Sequence, residues 1–111
     1  MDPFIYPAHV TKVYDADTIT CDVDCGFGVR LIKQKIRLYG INAPEVRGES
    51  KEAGLISRDK LRERILDKDI MIKTIKDKKG KYGRYLGLIY LDNENLNDWL
   101  VDNDLAVKAD Y

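Results

Sequence analysis

The sequence predicts a β-rich α+β fold: a five-stranded barrel closed in a Greek key, with one longer helix after the third strand and a short helix near the C-terminus. Three features carry this expectation. Alternating, β-branched runs flank Asp15-Ala16-Asp17. The pattern changes to a helical period between Glu49 and Leu66, and alternation returns from Asp69 onward.

The elements follow in order. His9 to Val13 and Ile19 to Val23 read as two strands around the Asp15-Ala16-Asp17 turn. Gly26-Phe27-Gly28 turns the chain, and Val29 to Tyr39 reads as a third strand, so that a β-meander is the simplest assembly. From Glu49 to Leu66, Ala53, Ile56, Leu61, Ile65 and Leu66 can share one broad helical face, with Ser50 placed to cap the start. Asp69 to Ile75 sets Ile70, Ile72 and Thr74 opposite Met71, Lys73 and Ile75. A Lys78-Lys79-Gly80 turn leads into a fifth strand from Tyr85 to Leu91, and Asn97 to Asn103 forms the short helix, its Trp99 covering one end of the core. Three strands, a helix, two strands and a terminal helix is the order of an oligonucleotide-binding (OB) barrel. Tyr39, Tyr85 and Tyr90 are expected in the core.

A chain of 111 residues, 44% hydrophobic and 34% charged, suits one modest core and a single domain over residues 1–111. Apolar runs stay far below the length of about 20 residues that spans a bilayer, and the start Met1-Asp2-Pro3-Phe4 lacks a secretory pattern, so the expected location is cytoplasmic with no membrane partner. Formal net charge is zero, which removes a global electrostatic footprint for nucleic acid. Locally, however, Lys73, Lys76, Lys78, Lys79, Lys81 and Arg84 stand against Asp77 alone, a basic rim able to attract a phosphate backbone; a solvated hairpin loop is the plain alternative. Cys21 and Cys25 would share a face of an extended strand, too far apart to bridge unless a turn intervenes near Gly26, and are read as reduced. Two thiols and the single His9 do not make a zinc site, and His9 is given no role.

Four short motifs carry chemistry: Asp15-Ala16-Asp17-Thr18, the run Arg37-Leu38-Tyr39-Gly40-Ile41-Asn42-Ala43-Pro44-Glu45, Glu52-Ala53, and Lys81-Tyr82-Gly83-Arg84. Folded together they would set carboxylates, an amide and two guanidinium groups around one phosphodiester. Guanidinium groups donate paired N–H bonds to phosphate oxygens, which lysine cannot do, and carboxylates hold a divalent cation or orient water. Each residue also has a plainer reading. Asp15 and Asp17 can shape a hairpin, Arg37 can pair with a surface acid, and Glu45 after Pro44 can cap a loop.

These motifs, in this order, resemble the staphylococcal nuclease (thermonuclease) family from about His9 to about Tyr111. The resemblance implies the same barrel and a calcium-dependent nuclease that cuts DNA or RNA, single strands preferred, with little sequence preference and with the phosphate left on the 3′ side. It implies Arg37, Glu45 and Arg84 as catalytic residues, Glu45 being the general base. Asp17 and Asn42 would hold the metal through their side chains and Ala43 through its backbone carbonyl. Lys81 and Tyr82 would meet a terminal phosphate, with Tyr111 at the nucleotide pocket. No protein partner is implied.

The main departure is Asn42, where family members carry aspartate. An amide oxygen still coordinates a hard cation but removes one negative charge, so weaker metal binding is expected. The rival reading is therefore a barrel that binds nucleic acid without cutting it. Family members usually continue into a further helix beyond the position of Tyr111, so part of the barrel is expected to be covered differently here.

Overall fold

A long first strand organises the molecule. The structure, a computed structural model, describes residues 4–79 and 85–109. Strand β1 (Ile5–Asp15) pairs antiparallel with both β2 (Thr18–Asp24) and β5 (Asp69–Lys79), and β2 pairs in turn with β3 (Arg30–Leu38). β5 pairs antiparallel with β6 (Tyr85–Leu91), and a parallel contact between β3 and β6 closes the ring, Arg37 lying opposite Leu86. Five strands thus form a closed OB-type barrel. Short pairs decorate it: β4 (Ile41–Asn42) with β8 (Val107–Lys108), and β7 (Glu94–Asn95) on β6.

Strand alternation fills the interior. Val10, Val13 and Ile19 are wholly buried, joined by Cys21, Leu38, Ile72 and Ile89 from the other strands. Helix α1 (Lys51–Ile65) follows a 3-10 turn at Gly48–Ser50 and lies against β1, while α2 (Leu96–Asp102) seals the β6 side with Leu96 and Leu100. No helix among the described residues is long and apolar enough to cross a membrane.

The predicted order of elements is the observed one, with corrections at the edges. β1 begins at Ile5 rather than His9, because Ile5 to Ala8 pair with Lys73 to Ile70. β5 continues to Lys79, so Lys78 and Lys79 belong to the strand rather than to a turn; Gly80 lies outside the described residues. The face of α1 was misplaced: Ala53 and Ile56 are exposed, and the helix buries Gly54, Ser57, Leu61 and Ile65. A small-residue face wins there because the helix packs directly onto backbone. Ser50 makes no side-chain cap; its hydroxyl donates to the Glu45 carbonyl at 3.0 Å. The cap of α2 is Asn95, whose side chain accepts from the Asp98 N–H at 3.1 Å. Trp99 is half-buried, with the Arg64 guanidinium 4.8 Å above its ring, so it covers the core from outside. Tyr85 packs on the core, whereas Tyr39 and Tyr90 are only half-buried. Cys21 and Cys25 are both free thiols, and His9 Nδ1 lies 2.9 Å from Asp69 Oδ1 across the β1–β5 pair.

Candidate active site

The β1–β2 turn builds the first wall of the site. Asp15 stands opposite Thr18, and its carboxylate accepts the Asp17 N–H at 3.1 Å, an aspartate turn that aims Asp17 inward. The hairpin-shaping role thus falls to Asp15. The Asp17 Oδ1 accepts the Thr18 hydroxyl at 3.1 Å, and its Oδ2 accepts the Ala43 N–H at 2.8 Å. Asp17 therefore ties the turn to the segment that carries Asn42, Ala43 and Glu45.

Arg37 forms the floor. It pairs with Thr18 in the β2–β3 ladder and is almost fully buried, so the plain reading of a surface ion pair does not hold. Its Nη1 donates to the Leu38 carbonyl at 2.8 Å, and its Nη2 donates to Asn42 Oδ1 at 2.7 Å while lying 3.4 Å from Asp17 Oδ2. A buried guanidinium held by three oxygens is fixed in orientation before any ligand arrives.

Asp15 has a different electrostatic position. Burial, with the neighbouring Asp17 carboxylate adding to it, pushes its carboxyl up to about 7; the Asp17 N–H and the Arg37 charge act in the opposite direction. The site thus places two carboxylates in unlike environments, one clamped by donors and one desolvated.

The Asn42–Glu45 segment is held from both sides. Asn42 pairs with Val107 in the β4–β8 ladder, and Ala109 N–H donates to the Gly40 carbonyl at 2.9 Å. Behind the loop, α1 comes so close that Gly54 touches the Glu45 peptide: a β-carbon there would overlap the Glu45 carbonyl and stand 2.8 Å from Val46 N. It is the carbonyl of Glu45 that takes part in this packing and in the Ser50 bond. The carboxylate is left 71% exposed, with Arg47 Nε 4.0 Å away. Under this arrangement the Glu45 side chain is free of the loop-capping duty allowed by the plain reading.

These parts enclose a polar cavity of about 470 Å³ lined by Asp15, Asp17, Arg37, Asn42, Ala43 and Glu45, and also by Tyr14, Thr18, Val46 and Arg47. The structure therefore brings Asp17, Arg37, Asn42, Ala43 and Glu45 together, as the motif order anticipated. Lys81, Tyr82, Arg84 and Tyr111 lie outside the described residues. Tyr14 and Arg47 escaped the sequence reading. Their signal was faint: Tyr14 alternates outward between buried Val13 and Asp15, and Arg47 is one of many basic residues in a loop.

Asn97 was missed for its structural weight. Wholly enclosed in α2, it donates to the carbonyls of Tyr39 at 2.9 Å and Gly87 at 3.2 Å and accepts the Ile89 N–H at 3.1 Å, locking the chain just before Asn42 to β6. An amide inside an otherwise apolar helix face was the available sign.

The donor chemistry suits a hard cation. Asp17 and Asp15 carboxylates, the Asn42 amide oxygen and the Ala43 carbonyl are all oxygen ligands of the kind calcium accepts. Among the described residues no three His, Cys, Asp or Glu side chains gather as a metal cluster.

Comparison with known proteins bears on the whole assembly. Residues 35–111 match the family model described as Staphylococcal nuclease homologue, a span that takes in Arg37 and the whole Asn42–Glu45 segment. The chain is also 29% identical over 109 residues to the thermonuclease of Staphylococcus hyicus, covering 92% of this chain but 59% of that protein, so it spans less than two thirds of the relative's length. The match spans well over half of the chain, and the chain belongs to the staphylococcal nuclease homologue family.

Proposed function

We propose that this protein is a metal-dependent nuclease that hydrolyses phosphodiester bonds of DNA or RNA, with calcium as the favoured ion and single strands as the favoured substrate. The observation that carries this is the convergence of Asp17, Arg37 and Glu45 on one polar cavity. The similarity to a thermonuclease points the same way.

Each residue then has a chemical task. Arg37 presents N–H groups to the phosphate oxygens from a fixed position, offsetting the charge that builds on them. Glu45, exposed at the cavity mouth, accepts a proton from a water as its oxygen bonds to phosphorus and the bond from phosphorus to the leaving sugar oxygen breaks. Asp17, Asn42 and the Ala43 carbonyl would hold the cation, which supplies electrostatic stabilisation of the phosphate charge when bound. The open cavity accommodates a flexible backbone better than a stacked duplex, hence the preference for single strands.

A second reading has its own support. Arg37 Nη2 sits 2.7 Å from Asn42 Oδ1 and 3.4 Å from Asp17 Oδ2, so the guanidinium already partners both side-chain oxygens that the cation would use. A barrel that binds nucleic acid while cutting slowly would result. Cleavage of labelled single-stranded DNA with calcium, with magnesium and with chelator, in native and Glu45→Gln protein, decides. Calcium-dependent cutting lost in the variant establishes the nuclease; strand binding without cutting in every metal establishes the binding module.

A further inference from the structure

We infer that Tyr14 and Arg47 form a separate nucleotide subsite on the rim of the cavity, in which Tyr14 stacks a base next to the scissile phosphate and Arg47 contacts a neighbouring phosphate. The inference rests on the nuclease or nucleic-acid-binding reading above and extends it. The floor and the rim of the cavity differ sharply. The side chains of Asp17 and Arg37 are 9% and 8% exposed, whereas Tyr14 is 47% and the Arg47 side chain 79% exposed. Both line the same cavity as the floor residues.

Strand geometry explains why Tyr14 stands there. Val13 and Asp15 point into the barrel and the turn, so Tyr14 must point outward, and it takes no part in the hydrophobic core. An aromatic face beside a phosphate-binding arginine offers stacking to any base, without demanding a sequence. Arg47 comes from the other side. Its guanidinium approaches Glu45 at 4.0 Å, an ion pair between two exposed side chains, which leaves it able to turn toward an anion. With Arg37 on the scissile phosphate, a base over Tyr14 and a second phosphate at Arg47 require at least two linked nucleotides. The preferred ligand is thus an unpaired oligonucleotide, not a mononucleotide or a duplex.

Binding measured in chelator separates this from catalysis. The probe is a short fluorescein-labelled oligothymidylate, followed by anisotropy with native protein, Tyr14→Ala, Tyr14→Phe and Arg47→Ala, and repeated with the same strand made abasic. Tyr14→Ala is expected to weaken binding by about tenfold, the scale of one lost base stack. Tyr14→Phe should bind as the native protein does. On the abasic strand, native and Tyr14→Ala should bind alike. Arg47→Ala should reduce the salt dependence of binding by about one phosphate contact on either strand. Equal binding by native and Tyr14→Ala on oligothymidylate, or equal losses on both strands, overturns the subsite while leaving the functional reading intact. Absence of strand binding by the native protein in chelator overturns the subsite, and absence of both binding and cleavage with calcium present overturns the functional reading as well.

Discussion

Gly54→Ala should destabilise this protein and slow cleavage, although the same change in an exposed helix stabilises. Alanine is favoured over glycine inside a helix by about 1 kcal/mol, and Gly54 lies within the first turn of α1. Against that gain stands the Glu45–Val46 peptide. An added β-carbon would overlap the Glu45 carbonyl carbon and oxygen and approach Val46 N to 2.8 Å, all of it backbone that cannot rotate aside. Overpacking of this kind costs about 1–3 kcal/mol, and three backbone atoms in the way place it near about 3 kcal/mol. The net expectation is a loss of about 2 kcal/mol.

If the loop moves rather than the helix, Glu45 is displaced, and a shift of about 1 Å can cost on the order of 100-fold in rate. Urea unfolding reports the first effect as a lower midpoint at unchanged slope. Cleavage of single-stranded DNA under saturating metal reports the second. A Gly54→Ala protein that is about 1 kcal/mol more stable and cuts normally would show that α1 does not bear on the Glu45 peptide, and the positioning argument would fall.

Other expectations follow from particular contacts. Asn97→Ala should cost about 3 kcal/mol, since three hydrogen bonds to Tyr39, Gly87 and Ile89 disappear inside the core; a loss under 1 kcal/mol by thermal unfolding would show that water replaces them. Asn42→Asp should tighten calcium binding by roughly tenfold in isothermal titration, because it adds a carboxylate to the oxygen set; unchanged affinity would remove position 42 from the ligand set. Cys21 is buried, and burial, with Asp22 adding to it, pushes its thiol up to about 12. In the unfolded chain the thiol ionises near 9.0, so the native state loses stability as pH climbs from that value toward 12, and Cys21→Ala should flatten the loss. At pH 8.5 to 9, iodoacetamide should alkylate half-buried Cys25 and spare Cys21, as mass spectrometry would show; equal labelling would contradict the buried position.

Much of the candidate site was legible as a string of residues. Asp15-Ala16-Asp17-Thr18 reads as a turn because aspartate side chains bond backbone two residues on, and the Asp17 N–H does meet Asp15 in that way. Alternation in β1, β2 and β5 is a local consequence of the strand period, so the barrel order and the buried residues Val10, Ile19 and Ile72 could be read directly.

The misread features share one cause: a partner outside the element in which the residue sits. Ala53 and Ile56 looked like the buried face of α1 by period and hydrophobicity, yet the helix turned its small residues inward because Gly54 meets backbone of the Glu45 loop. Ser50 looked like a cap and instead bonds the Glu45 carbonyl. Asn97 stood out only as an amide on an apolar helix face, with nothing local to name Tyr39, Gly87 and Ile89 as its partners. Likewise, an arginine at position 37 announces a phosphate ligand by type, but its burial and its sharing between Asn42 and Asp17 exist only once β2, β3 and the acidic loop are side by side.

Local chemistry and period thus determined the elements and their order, because those depend on near neighbours, and the motifs' resemblance to a family marked Asp17, Arg37 and Glu45 as candidates. Tertiary structure alone decided which face of α1 is buried, that Arg37 holds the oxygens a cation would need, and that Tyr14 and Arg47 share its cavity. Each of these depends on how separate elements lie against one another, which only the assembled fold sets.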